Sequence, residues 1–139
     1  MSRLNDEGGQ VTAMWAILAL ALLVLAGLVY DGGQILTARR EANNLARQAA
    51  RAGAQQLDEN SLRAGEPTLD PTAADAAARG YLARQNVTPT AVVVAGSTVT
   101  ITVTLRQPTP LLALVGINGR TVTSTASARS ARGVTTQGA

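Results

Sequence analysis

The chain has 139 residues and a net charge of +3, with twelve Arg against nine acidic residues and no Lys, His, Cys or Phe. Without His or Cys it lacks the usual general base, thiol nucleophile and zinc ligands, which excludes Ser-His and Cys-His catalysis, metal hydrolysis and a disulfide framework. Beyond its apolar amino-terminal segment there is length for one small domain, whose core must come from Val, Leu, Ile and Ala.

Residues 1–10 form a short polar flank. Val11 to Tyr30 is an uncharged run of 20 residues, and as a helix rising ~1.5 Å per residue it covers ~30 Å, the hydrocarbon thickness of a bilayer. Ten of its residues are Leu, Ile or Val, and together they favour insertion by about 3 to 6 kcal/mol. Trp15 and Tyr30 fall near its ends, where amphipathic rings meet headgroups, and are assigned as membrane-interface anchors. The run exceeds a signal-peptide core, and the cut-site-like triplet Ala19-Leu20-Ala21 sits mid-run, so a retained transmembrane helix is expected over a cleaved signal or a buried helix of a soluble domain. Thr12, Ala19, Ala26 and Gly33 recur every seventh residue and form a candidate seam for close packing by another membrane helix.

A second helical pattern occupies residues 31–57. Ile35, Ala38, Ala42, Leu45, Ala46, Ala49 and Gly53 share one stripe, opposite Arg40, Asn44, Arg47, Gln48, Arg51 and Gln55. Gly32 and Gly33 weaken the junction by roughly 1 kcal/mol each relative to Ala, yet one helix can run through from Val11 to Leu57. The cluster Arg39, Arg40, Arg47 and Arg51 has no aromatic platform beside it, so it reads as a solvated face suited to anionic headgroups or acidic partners, and no nucleic-acid partner is expected.

Residues 58–129 are expected to form the small domain. Asp58 to Asp70 is polar, with Gly65 and Pro67, and reads as a loop. Asp70 as N-cap and Pro71 at the first helical position open a short helix to Gln85, with an Asp75–Arg79 pair and closure at Asn86. The period then changes to two. Ala91 to Val94, a turn at Ala95-Gly96-Ser97 and Thr98 to Arg106 make a hairpin, with Val99, Ile101, Val103 and Leu105 inward and threonines outward. Pro108 and Pro110 break the strand, Leu111 to Val115 is an apolar crossing or turn of helix, and Arg120 to Arg129 alternates as a third strand. Residues 130–139 read as a flexible tail. The fold class is α+β: a long amino-terminal transmembrane and amphipathic helix, one short helix and a small three-stranded antiparallel sheet whose edges could accept a partner strand. Asp58-Glu59 and Asp70/Asp75 read as solvated loops and caps, and neither Gly pair continues into a phosphate loop, so no catalytic, metal or cofactor site is expected.

Three stretches resemble the TadE/TadG-like proteins of tight-adherence (Flp-type) pilus systems. These are Glu7 to Val11 leading into the anchor, Asp31-Gly32-Gly33-Gln34 followed by the Arg- and Ala-rich helix through Ala54, and Pro110 to Gly116 followed by Thr121 to Ala128. The resemblance implies a pilin-like fold and a membrane-held minor pilin or assembly component at a bacterial cell surface. Its partners would be the membrane and other pilin-like subunits or assembly proteins, in a hetero-oligomer. It also implies candidate leader-processing residues Gly8, Gly9, Gln10 and Met14. Pilin-like members that are cut carry Glu at the fifth residue after the cut, and that position after Gly9 is Met14, so an uncleaved protein is expected. Arg count near the anchor, read alone, would place the domain in the cytoplasm. The resemblance implies a cytoplasmic amino terminus and an extracytoplasmic domain, and long translocated domains obey the charge rule poorly. The competing reading is an independent membrane-tethered binding module unrelated to pili.

Overall fold

The computed structural model describes residues 6–130; of the expected tail 130–139 only Ser130 is described, buried and with its N–H donating to Ser97 O at 2.9 Å, and the rest lies outside the described residues. Helix α1 runs unbroken over Asp6–Ala54, so Gly32 and Gly33 are accommodated without a break. It begins before Val11 and stops short of Leu57. The early stop has a local cause: Leu57 bridges Leu69 in antiparallel fashion, the Asp58 N–H donates to Thr68 O and the Asp70 N–H donates to Gln56 O, which draws the chain out of helical geometry.

The segment from Asp58 to Asp70 is not wholly a loop. It contains a one-turn helix, α2 (Glu59–Arg63), because Asp58 in an extended conformation accepts the Ser61 N–H at 2.8 Å and the Ser61 hydroxyl donates back to Asp58 O at 2.8 Å. Helix α3 (Pro71–Arg84) starts as its sequence dictates, with the Asp70 carboxylate accepting from the Thr72 and Ala73 N–H groups. Asp75 and Arg79 pair at 2.7 Å on its exposed side, and that hydrogen bond raises the Arg79 pKa. Asn86 takes a left-handed φ of 56° just past the helix.

Strands β1 (Pro89–Ala95), β2 (Thr98–Gln107) and β3 (Arg120–Arg129) form one sheet in the order β1-β2-β3. Ala95 pairs with Thr98 across the two-residue turn Gly96-Ser97, where Gly96 adopts φ +56° as a type II′ hairpin requires. Val99, Ile101 and Val103 are buried, while Leu105, also expected inside, is half-buried. The outward threonines form a ladder of hydroxyl hydrogen bonds: Thr90 to Thr104, Thr102 with Thr125, and Thr104 with Thr123. The last two pairs also fix β3 antiparallel to β2.

The chain divides into two compact units. One comprises Ala38–Leu105 and the chain from Thr121; its core is Ala38, Ala42, Ala46, Ala49, Ala50 and Ala54 of α1, Leu69, Ala74, Ala78 and Leu82 around α3, and Val99, Ile101, Val103 and Val122 of the sheet. Gly53 lets three elements meet. A Cβ there would lie 3.0 Å from Ala74 O and 3.1 Å from a Val99 methyl. The other unit comprises the chain to Thr37 with Arg106–Arg120.

Candidate functional site

Among the described residues there is no cluster of metal-ligating side chains, and Asp58 and Asp70 are both engaged as helix caps. The surfaces of the two units carry functional candidates. In the amino-terminal unit, α1 carries one stretch long and apolar enough to cross a membrane, and only 6% of its most apolar window is buried by the protein itself. Trp15 and Tyr30, assigned as interface anchors, are both exposed. Thr12, Ala19, Ala26 and Gly33 also lie on uncovered helix surface, and a Cβ at Gly33 would meet nothing within 4 Å. Gly8, Gly9, Gln10 and Met14 are all helical, since α1 begins at Asp6. A Cβ at Gly9 would meet nothing within 4 Å, and Met14 is exposed.

The same unit holds a site that local sequence reading missed. Asp31 is fully buried although it follows directly on the apolar run. Its Oδ2 accepts the Leu112 N–H at 2.7 Å, a contact between residues 81 positions apart, and its Oδ1 is buried without a hydrogen-bond partner. Leu112 opens the 3-10 helix Leu112–Val115, whose preceding residue Leu111 supplies no side-chain cap. Asp31 takes that role from across the unit, placing a carboxylate at the turn's free N–H end. Gly27, one turn earlier on α1, permits the approach, since a Cβ there would lie 3.2 Å from Leu111 Cβ. The loop is closed on itself as well. Thr109 Oγ1 donates to Ile117 O at 2.6 Å and accepts the Gly119 N–H at 2.8 Å, and Gly116 ends the turn at φ 90°. The signal for this site was a lone carboxylate bounded by a hydrophobic span and two glycines, which invites the question of what covers it.

In the second unit, Asn43, Arg47 and Arg51 of α1 and Thr125 to Ala128 of β3 line a groove of about 310 Å³. Two guanidinium groups stand there beside an edge strand, with no acidic or aromatic residue in the lining. This combination suits an extended acidic segment and offers no stacking platform for bases.

A family model, Tad, described as "Putative Flp pilus-assembly TadE/G-like", matches residues 9–56. No curated protein and no solved structure matches the chain. The matched segment is most of α1, including the apolar span, Asp31 and the alanine ridge that closes the second core. Over residues 9–56 the chain is similar to the TadE/G-like proteins of Flp pilus assembly.

Proposed function

We propose that the protein is a non-enzymatic, membrane-anchored minor pilin-like or assembly component of a Tad/Flp-type pilus. The observation that carries this reading is the Tad match over residues 9–56, coincident with a helix whose apolar span the protein leaves uncovered. In this reading α1 crosses the membrane once, with a cytoplasmic amino terminus and the α+β domain outside. Trp15 and Tyr30 sit at the two interfaces, and Thr12, Ala19, Ala26 and Gly33 pack against another membrane helix. The groove at Arg47 and Arg51 beside β3 takes an acidic segment of a hetero-oligomeric partner. Met14, standing where processed pilin-like chains have Glu, favours a protein retained in the membrane with Gly8-Gly9-Gln10 uncut.

Affinity capture from native membranes is expected to recover other pilin-like chains or pilus assembly proteins. Recovery of none would contradict the reading. Intact mass from the same membranes is expected to be the full 14.3 kDa, whereas loss of the segment through Gly9 would place the protein among processed pilins. The independent binding module is favoured only if the Arg47 and Arg51 groove binds a ligand of its own in membranes lacking every other pilus component.

A further inference from the structure

The loop from Gln107 to Gly119 has no charged residue and exposes large apolar side chains: Leu114 is 85% exposed, Leu111 43% and Ile117 42%. Its position along α1 is fixed. Leu111 lies against Gly27, three residues before the end of the apolar run, so its contact is ~4.5 Å inside the span's carboxyl boundary. The Asp31–Leu112 bond pins the loop at that height. Arg106 and Arg120, both exposed, flank it on either side in the chain.

We propose that this loop is a second membrane contact, in which Leu111, Leu114 and Ile117 enter the headgroup–acyl boundary beside the last turn of the transmembrane helix. The occupant of this apolar surface is lipid. Two features of the fold select lipid over a protein groove: the surface is continuous with the uncovered span, and it is flanked by two arginines that match anionic headgroups. The arrangement also accounts for Asp31. A carboxylate at the edge of the hydrocarbon would otherwise face lipid, and the loop covers it while supplying a hydrogen-bond donor. The inference rests on the reading of α1 as a membrane span, and the test separates the two.

The chain has no Cys, so single labels can be placed without background. Full-length Leu114→Cys, Leu20→Cys and Ala76→Cys carry a nitroxide in phosphatidylethanolamine/phosphatidylglycerol vesicles. Collisions with oxygen are compared with those of a water-soluble nickel complex. At Leu114 the oxygen-to-nickel ratio is expected to resemble that at Leu20 in the span and to exceed by several-fold that at Ala76, an exposed position of α3. A ratio at Leu114 equal to that at Ala76, with Leu20 in lipid, would overturn the loop proposal alone. Protection from both reagents would do the same by indicating a protein cover, and a water-like Leu20 would overturn the anchoring reading and the proposal with it. With the Leu114 label in place, Asp31→Ala is expected to shift the ratio toward water. Asp31→Asn, which keeps an acceptor oxygen, is expected to hold it, and an unchanged ratio in Asp31→Ala would refute the pinning role.

Discussion

The two compact units solve the same problem of apolar residues in opposite ways. In the unit containing Ala38–Leu105, alanines of α1 and valines and isoleucine of the sheet are buried within the protein, drawn together closely enough that a Cβ at Gly53 would lie only 3.0 Å from Ala74 O. In the unit containing the chain to Thr37, Leu23 is 71% exposed, and Trp15 and Val29 are exposed as well. An apolar surface of that extent is rare on soluble monomers. A single continuous helix thus carries an uncovered apolar surface in one unit and a buried one in the other, and the size of its apolar residues changes between them. Large ones stand uncovered before Thr37, whereas small ones admit a sheet.

That contrast makes substitutions in the two units separable. The largest effect is expected for Ile101→Ala, a fully buried β2 position. It should lower the unfolding free energy by about 2 to 4 kcal/mol, read as accelerated hydrogen exchange of β2 amides in vesicle-bound protein. Gly53→Leu should cost about 1 to 3 kcal/mol by forcing Ala74 O and Val99 apart, with lowered thermal stability of the same amides. Asp70→Ala removes two N–H acceptances at the start of α3 and should cost about 1 kcal/mol, confined to exchange in the first turn of that helix. Leu23→Ala, in the exposed span, should leave exchange in the second unit unchanged and reduce only the fraction of protein resisting carbonate extraction from membranes. If Leu23→Ala instead destabilised β2, the division between protein-packed and lipid-packed residues would be wrong.

Much of this arrangement was legible because it is local. The Asp70-Pro71 start, the Asp75–Arg79 pair and the alternation from Thr98 to Arg106 are encoded within a few residues, and each appears as expected. The alanine stripe was legible only in outline. Leu45, placed in it by periodicity, is half-buried, while Ala50 and Ala54 are buried, because at Gly53 the helix meets both α3 and β2 and needs a wider apolar face. Helix α2 was hidden by its brevity among Gly and Pro, and its cause is a single capping carboxylate at Asp58. The Asp31–Leu112 contact could not be read from pattern, since it joins residues 81 apart and obeys no periodicity. Its one trace was an acidic residue at an apolar boundary. The candidate processing residues, the interface anchors and the heptad seam depend on partners outside the chain, and their roles are carried by the proposed function.

The claim on which these surfaces converge is participation in pilus assembly. Its most direct test is an in-frame deletion of the protein in its native cell, with surface pili counted by electron microscopy and the full-length chain restored in trans. Loss of assembled pili, recovered by the restored chain, is the expected result. Pili unchanged in number and length in the deletion strain would contradict it.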